Sequence, residues 1–339
     1  MRVEDFNYDL PERLIAQVPL ENRSSSRLML VDRLTNEIKD YHFYDIVDLL
    51  DKNSVLVIND TKVLPSRIYG EKIDTHAKIE VLLLKDKGDF WECLVKPARR
   101  IKVGTVIDFS GVIKGEVIEK FDEGICHIRF IYEGIFLEKL EKLGEMPLPP
   151  YIHEKLKDND RYQTVYATSL GSAAAPTAGL HFTPEILDKI KEKGIDIYHV
   201  TLHIGLGTFR PVSVENVEEH KMHSEHYYIK EDVAEALNKA KSEGKKIISV
   251  GTTTTRTLES VYNKYGKFVA CSEDTNIFIY PGYKFKAIDG LITNFHLPKS
   301  TLLMLVSAFS SVDLMRKAYS AAVEKEYRFF SFGDAMFIR

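Results

Sequence analysis

The periodicity of the chain changes twice, and that change limits the folds open to it more than any single motif. Between residues 64 and 149 short β-rich runs follow one another: Ile79 to Leu84, Phe90 to Val95, Thr105 to Phe109, Val112 to Ile118 and Ile125 to Tyr132. Charged or glycine-containing turns separate them, a spacing that predicts a small sandwich or barrel. A helix-like run, Phe136 to Leu143, and the stiff segment Pro147-Leu148-Pro149-Pro150 follow.

On either side helices and strands alternate. Pro11 suits the first turn of a helix over Glu12 to Gln17. Leu28 to Val31 and Ile38 to Phe43 read as a hairpin, and Ser54 to Ile58 as a short apolar strand. Beyond residue 151, Thr183-Pro184-Glu185 is a helix start made of cap, N1 proline and first-turn acid, and Gly194 stops that helix. A strand over Ile195 to Ile204, a helix over 231–243, a strand over 246–250 and a Thr-rich helix start come next. Helices over 299–309 and 312–325 precede a last strand over 328–332. The economical reading is an α/β main domain, 1–63 plus 151–339, with an inserted small all-β, barrel-like domain, 64–150.

Composition narrows the function classes. The 339 residues carry 46 basic and 50 acidic side chains, a net charge of −4, so there is no global footprint for nucleic acid, only room for local patches. Cys93, Cys126 and Cys271 are far apart and form no C-x-x-C, which argues against a disulfide framework or cysteine-based zinc site and fits a reducing cytoplasm. The acidic start MRVEDFNYDLPER lacks the apolar stretch of a secretory signal. No apolar run approaches the ~18 residues of a membrane span.

Common catalytic signatures fail. There is no P-loop and no nucleophile elbow. Gly205-x-Gly207 follows a strand, but Arg210 stands where the dinucleotide fingerprint needs its third glycine. His220, His223 and His226, with Glu225 adjacent, raise a zinc or iron site. A spacing of three suits neither a strand face nor a continuous helix, so substrate-binding or surface roles are favoured.

Chemistry concentrates instead in polar, glycine-permissive segments at element boundaries. GSAAAPTAGLHFT (171–183) places Pro176, Thr177, Gly179 and His181 before a helix start that favours an anion. The bland alternative is a tight strand–helix connection. HIGLGTFRPV (203–212) offers His203, Gly205, Gly207, Thr208 and Arg210, the arginine suited to a carboxylate or phosphate, or else sitting in an ordinary turn. GTTTTRTLES (251–260) supplies Thr252 and Thr253 at a helix N-terminus, with Arg256 and Glu259 spaced i, i+3 as a helix-face pair. TNFHLPKSTLLM (293–304) contributes Asn294 and His296, with Ser300 as a cap and His296 a candidate group tuned near neutral pH. Asn59, Asp60 and Thr61, with Lys62 and Arg67, form a cluster at a strand end. In the insertion, Lys96, Arg99, Arg100 and Lys102 make a basic loop fit for a phosphate backbone, or simply a solvated one.

Taken together, FNYDLPERLIAQVP (6–19), LVINDTKVLPSR (56–67), AAPTAGLHFT, HIGLGTFRPV, MHSEHY (222–227), VGTTTTRTLES, IYPGYKFKAIDGLITNFHLPKSTLLMLVSAF (279–309) and FFSFGDAMFI (329–338) resemble the S-adenosylmethionine:tRNA ribosyltransferase-isomerase family of queuosine biosynthesis. The resemblance runs end to end and is looser in the insertion. It implies an α/β domain with a small β-barrel. It implies transfer and isomerisation of the ribosyl moiety of S-adenosylmethionine onto 7-aminomethyl-7-deazaguanine at the tRNA wobble position, giving epoxyqueuosine-tRNA, adenine and methionine. S-adenosylmethionine is then a co-substrate, with no metal, flavin or other cofactor. The implied chemistry needs a base beside the sulfonium, for which His181, His203 and His296 are candidates. Glu225 and Glu259 would orient or hold the cationic amine, Arg210 or Arg256 the methionine carboxylate, and Asp60 the deazaguanine edge. Phe209, Tyr280, Tyr283 and Phe285 are possible stacking residues for an anticodon loop. A cytoplasmic monomer is expected. The competing readings are a histidine-metal hydrolase on His220, His223 and His226, and a non-catalytic tRNA-binding protein.

Overall fold

The structure is a computed structural model that describes residues 1–154, 156, 158–205 and 212–339. Two compact units emerge: Met1–Thr61, Pro150–Ser169 and Ala175–Arg339 form one, and Lys62–Pro149 with Leu170–Ala174 form the other. The first is mixed α/β and the second contains a closed antiparallel β-barrel, the architecture expected from the change of period. Among the described residues no helix is long and apolar enough to cross a membrane.

The barrel order is Ile125–Ile131, Trp91–Lys96, Lys78–Asp86, Arg67–Lys72, Val106–Phe109, Ile113–Lys120. Arg67–Lys72 escapes the sequence pattern. Its inward residues are Ile68 and Gly70, so only one apolar side chain marks the period. Gly70 is small for a reason: a Cβ there would lie 2.7 Å from the Asp108 carbonyl oxygen and 2.7 Å from the Phe109 ring. This strand pairs with both Lys78–Asp86 and Val106–Phe109, and so turns an open sheet into a closed one. The helix Phe136–Leu143 packs Leu140 into the barrel core beside Ile68, Val81 and Ile107.

The α/β unit is built on a nine-stranded sheet ordered Cys271–Thr275, Glu225–Ile229, Asp196–Leu202, Ser54–Asn59, Lys246–Val250, Gly290–Asn294, Ala335–Ile338, Arg27–Val31, Ile38–His42. The four strands from Asp196–Leu202 to Gly290–Asn294 are mutually parallel. Every residue of Ser54–Asn59 and Gly290–Asn294 is buried, as expected of strands covered on both faces. The caps at Thr183 and Ser300 follow the sequence signals, their side chains accepting from the Ile186 and Leu303 amides, and Ser311 caps a third helix by accepting from Leu314.

Two expected elements differ. The segment after Pro11 forms only a 3₁₀ turn, Glu12–Leu14, because Ile15 is already extended. The final strand is Ala335–Ile338, not 328–332. Phe330 has φ +74° and Gly333 N–H bonds back to Phe330 O, so that aromatic stretch is a turn, and the all-buried AMFI run enters the sheet instead.

Trp91, the sole tryptophan, stacks near Phe136 with centroids 5.7 Å apart, so its fluorescence reports barrel unfolding. Leu140→Ala is expected to destabilise the barrel by about 2–5 kcal/mol, read as a lowered urea midpoint of Trp91 emission. An unshifted midpoint would mean that the helix does not complete the core.

Candidate active site

The four parallel strands end at one edge of the sheet, the side where open α/β sheets bind their ligands. Directly after them stand His203, Asp60-Thr61, Gly251–Thr253 and Phe295-His296, with Asn59 and Asn294 as last strand residues. The antiparallel neighbours begin at the same edge, which brings in Glu225 and Asp334. Four segments far apart in sequence therefore converge because their strands are adjacent and run the same way.

Asn59 braces the middle of this edge. Its amide donates to Leu202 O at 3.0 Å and Thr253 Oγ1 at 3.3 Å, and its oxygen accepts from the Thr61 and Leu202 amides, each at 3.1 Å. Asp60 is buried, and its carboxylate accepts from the Thr201 and Thr168 hydroxyls. Thr61 Oγ1 lies 2.8 Å from His203 Nδ1. The helix Thr252–Tyr265 opens on Gly251, at φ +87° and without a side-chain cap, so its first amides are available to an oxygen ligand.

Beside it lies a buried ion pair. Glu225 accepts from Arg256 Nη1 through one oxygen and from the Gly205 amide at 3.1 Å through the other. Arg256 Nε donates to Ile277 O at 3.3 Å, and its buried Nη2 has no partner among the described residues. The expected Arg256–Glu259 helix-face pair is thus replaced by Arg256–Glu225. Glu259 points away into a loop, where Tyr283 Oη and the amides of Lys286, Ala287 and Ile288 donate to it. A fully buried carboxylate so occupied is a loop brace, not a holder of a substrate amine.

The histidines depart from the near-neutral expectation. His181 ends the 3₁₀ turn Thr177–His181, its ring stacked on Phe43 at 4.9 Å. Its Nε2 accepts from Asn294 Nδ2 at 3.1 Å, since an amide nitrogen only donates, which leaves Nδ1–H to donate to Ser26 Oγ at 2.8 Å. Burial, then Arg328 and Arg23, push its pKa down to about 3. His296 bonds Thr293 Oγ1 and Tyr319 Oη, both at 3.2 Å, and burial lowers it to about 3 as well. His203 is half-buried and lowered by burial, then by His226. Among the described residues its Nε2 makes no hydrogen bond, unlike both ring nitrogens of His181 and His296. Gly179 lets the Pro176–His181 turn sit on Tyr166, because a Cβ there would lie 2.0 Å from Tyr166 Oη.

Other expected site residues lie elsewhere. Arg67 is a barrel-strand residue paired with Glu80 at 3.5 Å. Lys96, Arg99, Arg100 and Lys102 are exposed in the barrel unit. Tyr283 and Phe285 are engaged in packing, Phe285 against Phe309 at 4.9 Å. His226 bonds Asp274 and Ser272 while His220 meets the Phe278 ring, and among the described residues no three His, Cys, Asp or Glu side chains form a metal-holding group. Gly207, Thr208, Phe209 and Arg210 lie outside the described residues. Sequence reasoning missed Ser26 and Tyr166, which reach His181 and Gly179 only through tertiary contact.

The family profile described as queuosine biosynthesis protein matches residues 3–338. Among solved structures, the chain is similar to the S-adenosylmethionine tRNA ribosyltransferase of Thermotoga maritima, with 35% identity over 99% of this chain and 100% of that one, and a TM-score of 0.58.

The lowered histidines make stability depend on pH. As pH falls below about 6.5 the unfolded chain takes up protons that folded His181 and His296 refuse until about 3. Stability is therefore complete above about 6.5 and falls from there down to about 3, by up to about 1.4 kcal/mol per pH unit for each histidine. Urea unfolding of His181→Gln should show a shallower loss between pH 6 and pH 4 than wild type. Parallel curves would remove His181 from the linkage.

Proposed function

The chain belongs to the queuosine biosynthesis protein family, and on that premise we propose that it is an S-adenosylmethionine:tRNA ribosyltransferase-isomerase. It would move the ribosyl moiety of S-adenosylmethionine onto 7-aminomethyl-7-deazaguanine at the tRNA wobble position, with rearrangement to epoxyqueuosine and release of adenine and methionine. The end-to-end likeness to a tRNA ribosyltransferase carries this reading. The single sheet edge that gathers an uncapped helix N-terminus, a buried arginine and neutral imidazoles supports it.

The substrate is a sulfonium whose adjacent proton must leave before adenine departs and the base's amine attacks. His203 is the best-placed proton acceptor. In the tautomer that donates Nδ1–H to Thr61 Oγ1, its Nε2 carries the lone pair. His181 and His296, with both ring nitrogens engaged, are better suited to holding neighbouring groups in place. Arg256, fixed by Glu225, turns Nη2 to the methionine carboxylate, and Arg210 is a second candidate. Thr252, Thr253, Asn59, Asp60, Thr61, Asn294 and the Pro176–Gly179 turn shape the pocket for nucleoside and base. In the barrel, Lys96, Arg99, Arg100 and Lys102 grip RNA phosphate. The enzyme works in the cytoplasm and needs no cofactor beyond its co-substrate.

The test mixes protein, S-adenosylmethionine and tRNA bearing the deazaguanine precursor. Equal amounts of adenine and methionine should appear, with a matching mass gain on the tRNA. Adenine release without RNA modification would sink the assignment. His203→Ala should lower kcat by about 10²-fold or more with RNA affinity retained. Wild-type turnover in that variant would return the base role to another group.

A further inference from the structure

Three arginines gather beside His181. Arg23 and Arg161 line a cleft with Ser26, His181 and Ser331, and Arg328 acts on His181 from the same neighbourhood. All three are held by main-chain carbonyls. Arg23 donates to Gln163 O at 2.7 Å and Asp160 O at 2.8 Å. Arg161 donates to Glu21 O at 3.1 Å and to Leu20 O. Arg328 donates to Val18 O. Carbonyl dipoles fix a guanidinium in place but leave its charge uncancelled.

Among the described residues none of the three makes an ion pair. Asp334 attracts Arg328 by charge, but it already accepts the Arg27 and Arg328 amides and faces Arg27 Nε at 3.6 Å. Asp158 and Asp160 act on Arg23 only through longer-range attraction. Among the described residues, Arg161 Nε and Arg328 Nη1 are buried donors without a partner. Burial and the adjacent Arg161 hold the Arg23 guanidinium below its usual pKa, and burial does the same to Arg328. Partly desolvated like charges are costly unless an anion joins them.

We propose that Arg23, Arg161 and Arg328 form a phosphate-binding site for the RNA backbone beside the target nucleotide. This rests on the reading of the chain as a tRNA-modifying enzyme. The alternative anion, the carboxylate of S-adenosylmethionine, belongs at the other end of the edge. The Glu225–Arg256 pair starts from the second strand of the sheet, whereas Ser26 and Asp334 precede the eighth and seventh. Five or six spacings of about 4.8 Å separate them, roughly 25 Å along the edge. One amino-acid carboxylate cannot serve both, while a polynucleotide has phosphates along its length. Planar guanidinium forks around a cleft suit a phosphodiester that passes through.

The test measures affinity of the full chain for an anticodon stem–loop across a salt series, without S-adenosylmethionine. Arg161→Gln and Arg328→Gln keep an amide donor and lose the charge. Each should weaken binding about tenfold and reduce the slope of log affinity against log salt by about 0.7. Arg161→Lys should recover most of the slope. Wild-type protein offers a check that no folding defect can confuse: stem–loops with one neutral methylphosphonate flanking the wobble position should show the same reduction. Unchanged slopes with both RNAs and variants would overturn the site. A raised KM for S-adenosylmethionine with unchanged RNA slopes would also overturn it, in favour of the carboxylate. Adenine release by the wild type is scored separately. Release with unchanged slopes keeps the enzyme and rejects the site, whereas changed slopes without release support the site and reject the ribosyltransferase reading.

Discussion

A single side-chain amide, that of Asn59, joins the parts on which the candidate site depends. It ends one parallel strand, clasps the backbone of the next at Leu202 from both sides, and touches Thr253 on the first turn of the helix that follows a third strand. Strand ends fray unless their last polar groups find partners, and here one buried amide supplies several. With the strand ends tied, the positions of His203, Thr253 and the Glu225–Arg256 pair follow from sheet geometry. The flanking Asn294–His181–Ser26 chain does the same work toward the other side of the sheet.

The electrostatic character of that edge is set by burial more than by residue type. His181 and His296 are imidazoles in name, yet desolvation keeps them neutral throughout the range in which free histidine titrates. The arginines behave oppositely. They remain charged while losing water, and carbonyl oxygens hold them without neutralising them. A chain with net charge −4 thus carries concentrated positive charge at one cleft. Bulk charge is a poor guide to such a protein because it averages over a surface, whereas a phosphate meets only a few side chains.

Much of the fold was legible from the residues. Period-two runs announced the barrel strands, and Thr183 and Ser300 announced their helices through capping chemistry that acts within three residues. The strand Arg67–Lys72 was not legible, because close contact with Asp108 and Phe109 demands a glycine where the pattern needs an apolar side chain. The last strand was misplaced because a run of aromatics looks extended until the positive φ of Phe330 breaks it. In the site, Arg256 and Glu259 stand at pairing distance along their helix, yet each finds a stronger partner from another element.

The sequence by itself determined the periods, the caps, the polar segments at strand ends and the family to which they belong, because those signals are local or are carried by long contiguous motifs. Tertiary structure alone decided which candidate histidine keeps a nitrogen without a hydrogen bond among the described residues, which acid meets Arg256 and which arginines share a cleft with His181. Those outcomes depend on desolvation and on contacts such as Ser26 with His181, 155 residues apart in the chain. Neither burial nor long-range contact has a local signature that a linear reading can detect.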